Sequence, residues 1–157
     1  MITNIGKEKI DTIVKDDPVR PHLTTDFRTS ADRQVYALYE SKYAEQDDPS
    51  DDIRAIICVA YTNEVPKDEY ELDLFSQQAC QDGQQGNIAV FYTVWSYDKG
   101  AGREVVNTVA KQLHTEGRAT RFVTLSPLTD MAERFHIRNG AELLEKHSSC
   151  QNFEYFL

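Results

Sequence analysis

Basic charge is scarce in this chain: 17 Lys and Arg stand against 26 Asp and Glu, a net charge of −9. A general nucleic-acid binder needs cations to neutralise phosphates, so that class is excluded, apart from a local basic patch around Lys99, Arg103, Arg118 and Arg121. Cysteine is scarce too. Cys58, Cys80 and Cys150 are odd in number and scattered, with no Cys-x-x-Cys pair. Cys58 sits in the apolar run Ala55-Ile56-Ile57-Cys58-Val59-Ala60 and reads as a buried thiol, which points to a reducing, cytoplasmic setting. No apolar run approaches the roughly 20 residues that cross a bilayer, so no membrane partner is expected. Met1 to Lys15 lacks the apolar stretch of a signal peptide. His22, His114 and His147 stand apart from any Cys or carboxylate spacing that makes a metal site, and no metal is expected.

What is present is one domain's worth of ordinary soluble sequence. The 157 residues are 40% hydrophobic and 27% charged, enough to bury a core without staples. Ile5, Ile10, Ile13 and Val14 are spaced as on a helix that runs to about Lys15, where Asp17-Pro18 ends it. Val19 to Ser30 reads as a loop. Gln34 to Tyr39 and Arg54 to Thr62 read as strands, joined by an acidic turn from Glu45 to Asp52. Pro66 to Gln78 reads as a short helix with Tyr70, Leu74 and Phe75 inward, and Gly83 to Gly86 as a turn. Ile88 to Trp95 is almost continuously apolar, as in a central strand covered on both faces.

The second half alternates. Arg103 to Thr115 is an amphipathic helix with Val105, Val106, Val109, Ala110 and Leu113 on its buried stripe and Gly117 as its C-terminal cap. Thr120 to Ser126 reads as a strand, Asp130 to Arg138 as a helix capped by Thr129, and Ala141 to Glu145 with Phe153 to Leu157 as an antiparallel pair. The order predicts an α+β (mixed α/β) domain over 1–157, a central mixed sheet flanked by helices. Residues 1–52 hold the N-terminal helix, loop and first strand, and 53–157 the rest of the sheet.

Three segments carry chemistry. Tyr97-Asp98-Lys99-Gly100-Ala101-Gly102-Arg103 links a strand to a helix, where unpaired amides and the positive end of the helix dipole attract anions. Gly100 and Gly102 remove side chains that would hold an anion off the backbone, and Lys99 and Arg103 add charge. The string is neither a Walker loop nor a three-glycine dinucleotide fingerprint. Phe122-Val123-Thr124-Leu125-Ser126-Pro127 and Phe135-His136-Ile137-Arg138-Asn139-Gly140-Ala141 then offer a hydroxyl at a strand end and an imidazole on a helix. Each segment alone is equally at home in plain packing; together, behind a glycine loop, they point to a site acting on a phosphate-bearing ligand.

The loop resembles the pyrophosphate loop of the GCN5-related N-acetyltransferase (GNAT) superfamily, Gln/Arg-x-x-Gly-x-Gly/Ala, with Gly100 and Gly102 matched and Tyr97 in the Gln/Arg position. The resemblance covers residues 53–157 well and the first 50 loosely. It implies a coenzyme A (CoA) thioester held by Val94, Trp95, Ser96, Tyr97, Lys99, Gly100, Ala101, Gly102 and Arg103, with pantetheine between Val94–Tyr97 and Phe122–Ser126. Within that superfamily the motifs Val90-Phe91-Tyr92-Thr93, Thr124-Leu125-Ser126-Pro127 and Phe135-His136-Ile137-Arg138-Asn139-Gly140-Ala141 are similar to those of the catalytic domain of malonyl-CoA decarboxylases. That resemblance implies Ser126 and His136 as the catalytic pair. The chain departs from it at Leu128-Thr129-Asp130-Met131, in the direct join of the Ser and His motifs, and in lacking a counterpart of the separate helical domain.

The chemistry suits these residues. Loss of CO₂ from a malonyl thioester leaves an enolate, so the site must stabilise an oxyanion and return a proton to carbon. A hydroxyl can orient the carboxylate, and a His with its ordinary pKa near 6.5 can supply the proton. His136 also occupies the position of the Tyr that protonates the CoA thiolate in ordinary acetyltransferases. That implies acetyl-CoA as donor and an amine acceptor, with Glu64 or Glu69 taking the amine's proton. A non-catalytic acyl-CoA-binding module is the third reading. The sequence leaves the oligomeric state open.

Overall fold

The computed structural model describes residues 1–40, 52–81 and 86–157. Most of the acidic turn at 45–52 and of the turn at 83–86 lies outside the described residues. Among the described residues no helix is long and apolar enough to cross a membrane.

The elements run β1 (Ile2–Ile5), α1 (Lys7–Ile13), a 3-10 turn (Val14–Asp16), α2 (Thr25–Thr29), β2 (Gln34–Tyr39), β3 (Ile53–Thr62) and α3 (Glu69–Gln81). There follow β4 (Ile88–Ser96), α4 (Ala101–Thr115), β5 (Arg121–Thr124), β6 (Ser126–Pro127), α5 (Asp130–Arg138), β7 (Glu142–Lys146) and β8 (Cys150–Tyr155). They build one mixed sheet in the order β1-β2-β3-β4-β5-β8-β6, with β7 on β8. The β4–β5 pair is parallel and every other recorded pair is antiparallel. The architecture is the α+β arrangement expected from the sequence.

Two apolar clusters cover the two faces of the sheet. On one, α4 lays Val105, Val106, Val109, Ala110 and Leu113 against Ile57, Val59, Phe91 and Phe122. On the other, Ile10, Leu72 and the half-buried Phe27 cover Ile56, Val90 and Tyr92. The helix periodicity of α4 and the unbroken apolar run of β4 were therefore sound guides, because each is set by burial.

The N-terminal half differs from expectation. Ile5 belongs to a strand, not to the first helix: Ile2 to Ile5 pair with Leu38 to Val35, and cross-strand pairing overrides the helical spacing. Val19 to Ser30 is not all loop, since Thr24 accepts from the Phe27 amide and caps the short α2. Helix α3 turns Leu72, Ser76 and Ala79 inward and leaves Tyr70 75% exposed. A polar residue sits on its inner face because Arg33 reaches across to Ser76 Oγ at 3.0 Å and Asp73 Oδ1 at 2.6 Å.

At the other end, β8 starts at Cys150 and leaves Phe156 and Leu157 outside. Gln151 and Asn152 are buried there despite their polarity. Gln151 Nε2 donates to the Pro127 carbonyl (2.9 Å) and Asn152 Nδ2 to the Thr124 carbonyl (2.8 Å), which offsets part of the transfer penalty, while Gln151 Oε1 is buried without a partner among the described residues.

Candidate functional site

The site begins where two strands part. β4 and β5 pair in parallel from Ile88↔Arg121 to Phe91↔Thr124, and the last link is Leu125 N–H to the Phe91 carbonyl at 3.0 Å. Beyond it β4 slips by one residue against β3, with Cys58↔Thr93 followed by Val59↔Phe91, so Tyr92 is the extra residue of a bulge. The other strand breaks at Leu125 and resumes as β6, paired to β8 through Ser126↔Gln151. A cavity of about 620 Å³ opens between the diverging chains. Its lining is mainly apolar, from Val94, Trp95, Leu125 and Phe135 among others, and it includes both Ser126 and His136.

Ser126 is 3% exposed, and its Oγ lies 2.8 Å from Thr124 Oγ1. Thr124 Oγ1 in turn accepts from the Phe153 amide at 3.1 Å. His136 is buried on α5, stacked on Phe153 with ring centroids 5.3 Å apart and edge-on to Phe135. Its Nδ1 is 2.7 Å from Tyr155 Oη. Burial pulls its pKa down to about 4, so the imidazole is neutral near pH 7. This corrects the expectation of an ordinary His titrating near 6.5.

The tautomer follows from a chain of donors. Asn107 Nδ2 donates to Asn139 Oδ1 (3.1 Å), and Asn139 Nδ2 donates to Tyr155 Oη (3.4 Å). Burial pushes the Tyr155 pKa up to about 12, so its proton is retained and is available to His136 Nδ1. His136 then carries its proton on Nε2, which has no partner among the described residues. Tyr155 and Asn107 gave no signal in the sequence, because their roles arise from contacts between distant segments, and Thr124 was visible only as a member of the strand-end motif. Asn139 was visible only as part of a helix stop.

The glycine loop forms as expected, with a division of labour. Gly100 has φ +82°, a left-handed conformation that favours glycine, and opens α4, which starts at Ala101 rather than Arg103. Ala101 N–H bonds to Asp98 O and Glu104 N–H to Gly100 O; the amides of Gly102 and Arg103 have no partner among the described residues. Gly102 lies under Phe135, where an added Cβ would sit 3.5 Å from the ring, and it lines the cavity. Lys99 and Arg103 are exposed and unpaired among the described residues, since the nearby ion pairs run from Arg54 to Asp98 and Glu104.

Val94, Trp95, Ser96, Tyr97 and Gly102 line the cavity, whereas Lys99, Gly100, Ala101 and Arg103 lie outside its lining. Tyr97 Oη accepts from Trp95 Nε1 (3.0 Å) and donates to Asp16 Oδ2 (2.8 Å). Burial, with the Asp16 hydrogen bond, pushes the Tyr97 pKa up to about 12. Among the described residues, Asp16 is the one carboxylate in the lining, and no Lys or Arg lines the cavity.

Glu69 lies in a second groove of about 460 Å³ that shares Val19 and Pro127 with the main cavity. It is bonded to Arg20 Nε at 2.8 Å and His22 Nε2 at 2.9 Å. Glu64 is exposed and lines neither space. Of the two expected carboxylates neither lines the main cavity, and only Glu69 lines the groove beside it.

No family model matches the chain, and no curated protein matches it. Solved structures do. The malonyl-CoA decarboxylase of Agrobacterium vitis superposes with a TM-score of 0.62 at 20% identity, over 86% of this chain and 35% of that one. Arabidopsis thaliana NAA60, solved in complex with acetyl-CoA, gives 0.60 at 13% identity over 100% and 98% of the two chains. A putative GNAT-family acetyltransferase from Desulfovibrio desulfuricans gives 0.62 at 10% identity over 99% and 97%. The present chain thus spans about a third of the decarboxylase and nearly the whole of the acetyltransferases. Its fold is the GNAT fold, with structural similarity to malonyl-CoA decarboxylases.

Proposed function

We propose that this domain binds an acyl-CoA thioester and acts as a decarboxylase, converting malonyl-CoA to acetyl-CoA and CO₂. The observation that carries the reading is the placement of Ser126 and His136 in one cavity between the parting strands. The residues fit such a substrate. Free amides at Gly102 and Arg103, with unpaired Lys99 and Arg103 beside them, suit a pyrophosphate. Val94 to Tyr97 present a largely apolar wall to pantetheine. Three free cysteines support a reducing, cytoplasmic setting.

Burial of His136 shapes the mechanism. With no Lys or Arg in the lining, His136 is the group that can become a counter-ion for a malonyl carboxylate. A nearby negative charge favours the imidazolium and raises the depressed pKa, so His136 takes up a solvent proton on Nδ1 as malonyl-CoA binds, the Tyr155 hydroxyl turning from donor to acceptor of that proton. Ser126, backed by Thr124, orients the carboxylate. The Cα–carboxylate bond then breaks, CO₂ leaves, and the electron pair passes to the thioester enolate. His136 gives its Nε2 proton to Cα and is neutral again with the captured proton on Nδ1, so one solvent proton is consumed for each CO₂ released, and proton exchange with solvent restores the starting tautomer.

One observation favours a second reading, acyl transfer from acetyl-CoA to an amine. The groove holding Asp68 and Glu69 adjoins the cavity, and Asp16 lines the cavity itself, which suits a cationic acceptor. Incubation with malonyl-CoA separates the readings. A decarboxylase releases acetyl-CoA and CO₂, and His136→Ala slows the release by about 10²–10⁴-fold. An acetyltransferase leaves malonyl-CoA intact and consumes acetyl-CoA only with an amine present. A binding module gains about 3 kcal/mol of stability at CoA concentrations ~100 times Kd, without turnover.

A further inference from the structure

Arg20 has contacts that neither the catalytic pair nor the glycine loop explains. Its side chain is 4% exposed, and its guanidinium meets three elements. Nε donates to Glu69 Oε1 at 2.8 Å, one terminal nitrogen donates to the Tyr92 carbonyl, and the other lies 3.9 Å from Cys150 Sγ. Tyr92 is the bulged residue of β4. Cys150 opens β8 and pairs with Pro127, the neighbour of Ser126. One planar cation therefore touches both walls of the cleft.

We propose that Arg20 is a positioning residue that fixes the separation of these walls and the orientation of the Tyr92–Thr93 peptide. The guanidinium fork is rigid, so its partners are held at set angles. The peptide is trans and planar, so a fixed Tyr92 carbonyl fixes the Thr93 N–H antiparallel to it. Tyr92 and Thr93 both line the cavity. Arg20 is itself anchored: Asp17 Oδ1 accepts from its amide (3.0 Å) and from Thr93 Oγ1 (2.8 Å), and Arg28 donates to its carbonyl (2.7 Å). Asp17 and Arg28 form a fully buried ion pair at 2.9 Å, which makes the segment a stiff mount.

The consequence for turnover rests on the acyl-CoA reading, but the positioning role does not. The test compares backbone amide cross-peaks of wild type, Arg20→Met and Arg20→Lys by NMR without ligand. In Arg20→Met the cross-peaks of Thr93 and Ser126 move while those of Ile10 and Leu113 stay. Arg20→Lys, whose donors all sit on a single nitrogen, restores one wall and not both, and it serves alone if Arg20→Met does not fold. Unmoved Thr93 and Ser126 cross-peaks in a folded variant overturn the proposal. Where wild type turns over malonyl-CoA, kcat falls roughly 10- to 100-fold in Arg20→Met with KM within about threefold, as expected for misplaced reacting groups. Absence of CoA binding to wild type in calorimetry refutes the acyl-CoA reading, and the cross-peaks still decide the role of Arg20.

Discussion

Tyr155 Oη sits 2.7 Å from His136 Nδ1, joining the last strand to α5 across 19 residues of sequence. The contact occupies one ring nitrogen and leaves Nε2 without a partner among the described residues.

Tyr155→Phe removes that hydroxyl and strands His136 Nδ1 and Asn139 Nδ2. The expected loss of stability is about 1–3 kcal/mol, the range for a buried group left unpaired. Chemical denaturation measures it. His136→Ala should lower kcat by about 10²–10⁴-fold, as for a positioned acid or base, and Tyr155→Phe by less.

The buried imidazole also sets a pH dependence of stability. Its folded pKa of about 4 lies below the unfolded value of 6.5. Between those values the unfolded chain binds a proton that the folded chain refuses, so stability falls as pH drops through that window. The loss attributable to His136 is about 3 kcal/mol, complete below about pH 4. His136→Gln should flatten the pH–stability curve by that amount relative to wild type. An unchanged slope would show that the imidazole is not held neutral.

Proton uptake distinguishes the acyl groups. Malonyl-CoA binding near pH 7 should draw up to one proton from buffer, and acetyl-CoA binding none. Calorimetry in two buffers of different ionisation enthalpy reads the uptake, and His136→Gln should abolish it.

The two glycines of the loop should behave oppositely. Gly100→Ala meets no steric obstacle but holds alanine at φ +82°, a strain of roughly 1–2 kcal/mol. Gly102→Ala sits in the first turn of a helix at an ordinary contact distance from Phe135, so folding stability should rise by up to about 1 kcal/mol. Its methyl enters the cavity lining, so CoA affinity should fall. Thermal unfolding with and without CoA checks both halves.

Legibility in the sequence was uneven for physical reasons. β4 and α4 could be read because burial writes a period into the residues that face the core. The Thr129 cap and Gly100 were legible because a helix end demands particular local chemistry. β1 and the phase of α3 were not, since one rests on pairing with β2 and the other on a buried Arg33 that makes Ser76 an inward residue.

Taken alone, the chain determined its alternation of strands and helices, its glycine turn, and Ser126 and His136 as chemistry worth watching. Tertiary structure decided the rest: that these two line one cleft, that His136 is neutral there, and that Tyr155, Thr124 and Arg20 hold the parts in place. Local patterns follow from each residue's own geometry and solvation. A pKa, a tautomer or the width of a cleft follows from distant groups brought within a few ångströms, which only the folded chain accomplishes.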